Sequence, residues 1–160
     1  MALVVVMGVT GSGKTTVGTA LAERMGVPFA DADDFHSPEN VAKMRSGVPL
    51  TDVDRRPWLL AIGAWLAKHD EGAVVTCSAL KRVYRDTLRE AAPTITFLHL
   101  HGDKDTVRAR VAARKGHFMP QSLVDSQYAD LEPLEADEKA LVVDFALPVE
   151  VIVDRVASEI

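Results

Sequence analysis

Ala2-Leu3-Val4-Val5-Val6-Met7-Gly8-Val9-Thr10-Gly11-Ser12-Gly13-Lys14-Thr15 is the stretch that decides the fold. Ala2 to Met7 is a continuous apolar run, the pattern of a strand buried on both faces of a parallel sheet. Gly8 to Thr15 fits G-x-x-x-x-G-K-[ST]. Lys14 to about Met25 reads as a helix with Val17, Ala20 and Leu21 on one face, stopped by Gly26 with Pro28 just beyond. Strand, glycine-rich loop and helix in that order make an anion cradle. Glycines let several backbone N–H groups turn toward one anion, and the helix N-terminus adds partial positive charge. Lys14 would reach the β- and γ-phosphates of a nucleotide, and Thr15 would offer its hydroxyl to Mg²⁺. Gly8, Val9, Thr10, Gly11, Ser12, Gly13, Lys14, Thr15 and Thr16 are the candidate nucleotide-binding residues, with Lys14 also catalytic.

Outward from this loop, strand-like segments recur around Pro28 to Ala30, at Ala73 to Cys77, at Ile95 to Leu100 and at Leu141 to Asp144. Helical spacing lies between them: Trp58, Leu59, Ile62, Trp65 and Leu66; Leu80, Val83, Tyr84, Thr87 and Leu88; and Val149 to Glu159. Asp103 is a candidate N-cap for a helix carrying Val107 and Val111. Alternating strands and helices predict an α/β, three-layer fold, a central parallel five-stranded sheet with helices on both faces.

The chain has 160 residues, the size of one domain, with 48% hydrophobic and 26% charged residues. That composition excludes disordered, collagenous and disulfide-stapled classes. Eighteen Lys and Arg against 23 Asp and Glu give a net charge of −5, which argues against a generic nucleic-acid partner. Cys77 is the only cysteine, so neither an intrachain disulfide nor a Cys/His zinc site can be built from it, and burial at a strand end suits it better than nucleophilic chemistry. The early apolar run is too short to span a bilayer, and the first basic residue is Lys14, so no membrane role and a cytoplasmic location are expected.

A phosphate loop serves several chemistries. No D-x-x-G or N-K-x-D element occurs, which disfavours a GTPase switch. Ala73 to Cys77 ends in Cys77-Ser78 without a carboxylate, which disfavours a motor ATPase. A compact small-molecule kinase remains. Its acceptor side would begin at Asp31-Ala32-Asp33-Asp34-Phe35-His36, after the second strand. On an extended backbone Asp31 and Asp33 share a face; one could hold a Mg²⁺ water and the other take a hydroxyl proton. Asp34 and Ser37 suit a helix cap, and His36 suits either substrate contact or local capping. Asp52 and Asp54 before Pro57 are good helix-start chemistry, with Pro57 at the start itself. The adjacent Arg55 and Arg56 are not explained that way, and an Arg there could fork onto a substrate carboxylate.

Met7 to Thr15, Asp31-Ala32-Asp33 with His36, and Asn40 with Lys43-Met44 resemble the bacterial gluconokinases of the shikimate-kinase-like group. So do Gly47-Val48-Pro49-Leu50-Thr51-Asp52-Val53-Asp54-Arg55-Arg56-Pro57-Trp58-Leu59, Cys77-Ser78-Ala79-Leu80-Lys81-Arg82-Val83-Tyr84-Arg85-Asp86 and Arg114-Lys115-Gly116-His117-Phe118, with Ser126-Gln127 where that family has a polar pair. Ala32 stands where the family more usually has Gly. The resemblance implies transfer of phosphate from ATP, with Mg²⁺, to the 6-position of D-gluconate, a mobile lid at about 114–121 and, commonly, a homodimer. On it, Asp33 would be the catalytic carboxylate and Asp31, with Thr15, a metal residue. Asp33, His36, Arg55, Ser78, Lys81, Arg82 and His117 would bind substrate, in an acceptor segment at about 31–60. Rival readings are a shikimate-type or nucleoside monophosphate kinase, and a non-catalytic nucleotide-binding regulator.

Lys81, Arg85 and Arg89 fall on one helix stripe, for which a solvated basic face is the default at Arg89. Lys81 and Arg82 in a first helical turn oppose the helix dipole, which points to an anionic ligand. Arg110 and Arg114 at a helix C-terminus are favourable there in themselves. In a kinase they would meet the nucleotide, with Arg114 a catalytic lid cation neutralising the transferred group. Trp58 and Trp65 match the apolar helix face and read as core.

Overall fold

In a computed structural model, residues 2–113 and 121–160 are described. The expected lid at about 114–121, with Arg114 and His117, falls almost wholly outside them. The strands β1 (Leu3–Met7), β2 (Phe29–Asp31), β3 (Ala73–Thr76), β4 (Thr96–His101) and β5 (Ala140–Asp144) form one sheet in the order β2-β3-β1-β4-β5. Every pairing is parallel, with Val5 opposite Val75 on one side and Phe97 on the other.

The apolar run of β1 explains its central place. Val4 and Val6 enter one core layer, and Leu3, Val5 and Met7 enter the other. Strand side chains alternate faces, so a run apolar at every position needs cover on both. The first layer is closed by α1 (Lys14–Met25), α5 (Lys104–Ala113), α6 (Gln121–Asp130) and α7 (Val149–Glu159), the second by α3 (Asp52–Ala67) and α4 (Arg82–Ala91). A further short helix, α2 (Pro38–Arg45), is capped by Ser37, whose hydroxyl accepts from Asn40 N–H at 3.1 Å. Gly26 ends α1 in the left-handed region, and Asp103 accepts from Thr106 N–H at 2.8 Å, both as the sequence predicts.

Two local expectations need correction. The helix expected to begin at Pro57 begins at Asp52, because Thr51 and Asp54 form a reciprocal capping box that starts it earlier and leaves Pro57 inside. Lys43 adds an ion pair to Asp54 at 2.6 Å and thereby ties α2 to α3. The solvated basic face expected at Arg89 is not found, because the arginines of the Lys81–Arg85–Arg89 stripe pack on carboxylates. Arg85 is wholly buried and forks onto Glu138, Nε to Oε2 at 2.7 Å and Nη2 to Oε1 at 3.1 Å. Arg89 donates to Glu138 at 3.1 Å and to Asp86 at 2.6 Å.

Candidate active site

The phosphate loop, Asp31 to Asp33, and Cys77-Ser78 leave the C-terminal ends of β1, β2 and β3, three neighbours in the sheet. This edge is where parallel α/β sheets gather ligands. Two clefts open there, each about 490 Å³. The phosphate cleft is lined by Thr10, Gly11, Gly13, Lys14, Thr15, Thr16 and Asp31. The acceptor cleft is lined by His36, Leu50, Arg55, Leu80, Tyr84 and Ser126, among others. Asp33, Trp58, Cys77, Ser78 and Gln127 line both.

The loop takes its shape where the glycines require it. Gly13 sits at φ 94°, a left-handed position that hands the chain to α1. A Cβ on Gly8 would meet Ser12 Oγ at 2.8 Å and the Leu100 carbonyl at 3.0 Å. Lys14 Nζ donates to the carbonyls of Gly8 at 2.9 Å and Val9 at 3.1 Å, beside the space the loop encloses. Ser12 Oγ is buried with no hydrogen-bond partner among the described residues. Arg110 comes from α5 to the outside of the loop, donating to Gly11 O at 3.2 Å and Phe145 O at 3.3 Å while lying over the Phe145 ring.

Asp31 and Asp33 do meet at one cleft, though not on the extended backbone expected. The chain turns into a 3₁₀ segment over Ala32–Phe35, and Asp31 Oδ1 caps it by accepting from Asp33 N–H at 2.9 Å. Ala32 is buried there with an ordinary φ, so the absent glycine costs nothing. Partial desolvation and then the neighbouring Asp31 raise the Asp33 carboxyl above its ordinary value, against His36 and Lys14, which lower it. His36 stacks on Trp58 with ring centroids 4.2 Å apart, and its Nδ1 is buried without a partner among the described residues. Desolvation holds His36 below its usual pKa, with Arg55 adding to that against Asp33. Trp58, expected in the core, is a wall of both clefts; its indole N–H donates to Ala32 O at 2.7 Å.

Of the paired arginines, Arg55 lines the acceptor cleft and Arg56 turns away to Glu90 at 3.1 Å. Arg82 lines neither cleft. Its anion is internal: Asp86, Glu135 and Asp137 bond it, so the charge opposing the α4 dipole is met by the protein's own carboxylates. Lys81 also lines neither cleft and lies 5.8 Å from the Tyr84 ring centroid. Ser78 is at the seam of the clefts. Cys77 is buried, and burial pushes its thiol up to about 12, which keeps it un-ionised.

The loop from Cys77 to Leu80 forms the floor of the acceptor cleft and is pinned from below. Arg85 Nη1 donates to Ala79 O at 3.0 Å and Leu80 O at 3.2 Å, and Glu132 N–H donates to Leu80 O at 2.7 Å. Those bonds hold Ala79 at φ 46°, unusual for a residue with a side chain. Gln127 of α6 clasps the phosphate loop from the other side. Its Oε1 accepts from Thr10 N–H at 2.6 Å and its Nε2 donates to Thr10 Oγ1 at 3.0 Å.

This geometry agrees with what the chain is similar to. The shikimate kinase family model matches residues 10–159. The gluconokinase of Gluconobacter oxydans is 50% identical over 140 residues, 86% of this chain and 79% of that protein. This chain belongs to the gluconokinases of the shikimate kinase family. The thermoresistant gluconokinase of Escherichia coli is 42% identical over 93% of this chain and 87% of its own length. A gluconokinase structure from Sinorhizobium meliloti superposes with a TM-score of 0.86 at 48% identity, covering 99% of this chain and 94% of that one. A shikimate kinase from Bacteroides thetaiotaomicron, at 18% identity and a TM-score of 0.67, shares the fold.

Within that family, the residues missed by sequence reasoning are Trp58, Tyr84, Asp52 and Gln127. Apolar helix spacing accounts locally for Trp58 and Tyr84, and helix-start chemistry for Asp52. Gln127 has only its position in the chain to mark it.

Proposed function

We propose that the chain transfers the γ-phosphoryl group of ATP to the primary hydroxyl of D-gluconate, giving 6-phosphogluconate. The observation that carries this is Asp33, a carboxylate at the seam where a phosphate cleft meets an acceptor cleft. The new bond joins the acceptor oxygen to phosphorus, and the bond from phosphorus to the β-phosphate bridging oxygen breaks. Asp33 aligns the hydroxyl and receives its proton late, so it need not be a strong base. Lys14 places positive charge beside the transferred group. Arg110, at the outer side of the loop, borders the nucleotide.

Thr15 and Asp31 fit Mg²⁺, which takes few protein oxygens: both line the phosphate cleft, and Asp31 keeps an oxygen beyond the one capping Asp33. Mg²⁺ bound there would neutralise charge on the phosphates. In the acceptor cleft Arg55 takes the gluconate carboxylate, and His36 and Ser78 read hydroxyls.

Release of ADP, followed by a coupled assay with gluconate, shikimate and nucleoside monophosphates in turn, tests the proposal. Turnover with gluconate far above the others is expected. Preference for shikimate or a monophosphate, or no turnover at all, overturns it.

A further inference from the structure

Among the described residues that line the acceptor cleft, Arg55 alone carries a fixed positive charge, and it is held from behind. Its Nη1 donates to Tyr84 Oη at 2.7 Å, and that hydroxyl donates in turn to Asp52 Oδ1 at 2.7 Å. Arg55 Nη1 also lies 3.8 Å from the same Asp52 oxygen, and its guanidinium carbon stands 5.3 Å from the Tyr84 ring centroid. Asp52 and Arg55 come from the first turns of α3, whereas Tyr84 comes from α4, with its ring in the core beneath the cleft.

The direction of these bonds matters. Asp52 can only accept, so the Tyr84 O–H points to it and the oxygen's lone pairs turn to Arg55. A phenol donating to a carboxylate is a better acceptor for the next donor in line. Burial, and then the bond to Asp52, push the Tyr84 hydroxyl up to about 12, so it stays a donor at working pH. With Nη1 taken, Nε and Nη2 of Arg55 have no hydrogen-bond partner among the described residues. They form one edge of the guanidinium plane, the edge suited to a two-point bond with a carboxylate.

We propose that Tyr84 is a positioning residue for acceptor recognition: its hydroxyl, fixed by Asp52, sets the rotation of the Arg55 guanidinium so that the Nε–Nη2 edge takes the acceptor carboxylate. This rests on the reading that Arg55 binds that carboxylate. A long arginine is otherwise free to rotate, and fixing it beforehand lowers the ordering the substrate must impose. The selectivity for a carboxylate-bearing acceptor over an uncharged polyol thus depends on Tyr84, a residue that need not touch the acceptor.

Tyr84→Phe keeps the ring and removes the hydroxyl. The expected result is a gluconate KM raised about tenfold, with kcat, ATP KM and Tm little changed. Preference for gluconate over an uncharged polyol of equal length should fall by the same factor. In an Arg55→Lys background, where the fork is already gone, Tyr84→Phe should add less than about a twofold effect. Asp52→Asn, an exposed change, gives a second reading should Tyr84→Phe fold poorly; it should raise gluconate KM by a smaller factor and leave ATP KM alone. Equal effects on both substrates, or full additivity with Arg55→Lys, would reduce Tyr84 to packing and overturn the inference. Arg55→Ala separates the two levels. If it leaves gluconate KM unchanged, the carboxylate reading of Arg55 falls and this inference with it. If it raises gluconate KM but Tyr84→Phe does not, only this inference falls.

Discussion

The phosphate cleft and the acceptor cleft have equal volumes, about 490 Å³ each, yet they are made of different material. The phosphate cleft is built around a backbone object: glycines, N–H groups, a helix N-terminus and one lysine within Gly8 to Thr16, with Asp31, Asp33, Trp58 and Gln127 closing its sides. The acceptor cleft is a side-chain object. Its walls come from the 3₁₀ segment, α2, α3, the loop after β3, α4 and α6, and its floor is held by a buried ion pair between residues 53 apart in sequence. A backbone cradle tolerates change around it as long as the turn is kept. A side-chain cleft depends on every support that fixes a rotamer or a loop. One is expected to fail by loss of chemistry, the other by loss of shape.

The largest effect on turnover should come from the backbone cradle's one indispensable side chain. Lys14→Ala should lower kcat on the order of 10³-fold while leaving the fold intact and Tm little changed, because the lysine lies outside the core, on the loop carbonyls of Gly8 and Val9. Circular dichroism melts beside steady-state kinetics check it; near-normal kcat in a folded variant would remove Lys14 from the chemistry.

The acceptor side should break differently. Glu138→Gln leaves the Arg85 charge buried and unpaired, which costs about 3–5 kcal/mol and roughly 6–20 °C in Tm. The double change Arg85→Met with Glu138→Leu should recover much of that stability, since apolar pairs often replace buried ion pairs well. It should not recover gluconate KM, because the Ala79 carbonyl loses its Arg85 donor and the Leu80 carbonyl keeps only Glu132 N–H. Recovery of both by the double variant would mean the ion pair is only a staple. Gln127→Ala, at the seam, should lower kcat/KM for both substrates by about tenfold. An effect confined to one substrate would assign Gln127 to one cleft.

This contrast also explains what was legible in the sequence. The strands, the helix after the phosphate loop and the final helix follow from local apolar patterning, and all are where the spacing puts them. The phosphate loop is legible because its chemistry is consecutive. Asp33, Arg55 and Ser78 could be proposed from short motifs. Arg82 could not be placed correctly, because the carboxylates that consume it lie at Glu135 and Asp137, beyond any local window. Tyr84 and Trp58 satisfy helix periodicity as core residues while their polar atoms bond residues around the site, Arg55 and Asp52 for Tyr84 and Ala32 O for Trp58, and periodicity reads only the apolar part of an aromatic.

The smallest expected effect is on acid stability. Burial alone would raise Glu138, but the hydrogen bonds from Arg85 and Glu135 N–H bring its pKa below the ordinary 4.5. Arg89 and Arg82 likewise lower Asp86, and Arg82 lowers Asp137. A carboxylate depressed in the folded state stabilises it fully above its unfolded pKa, and that contribution is lost as pH falls through the folded value. Melts between pH 6 and about pH 3 should therefore show stability falling below 4.5, less steeply in Glu138→Gln.

The central claim is that the two clefts meet at one proton acceptor, Asp33. Asp33→Asn tests it by calorimetric titration of each ligand beside kcat as a function of pH. Nucleotide and gluconate affinities should stay within about threefold while kcat falls on the order of 10²-fold or more. The acid limb of the parent profile should lie above the ordinary Asp value of 3.8 and vanish in the variant. A kcat within tenfold of the parent, or a persistent acid limb, would contradict Asp33 as the residue that joins the clefts.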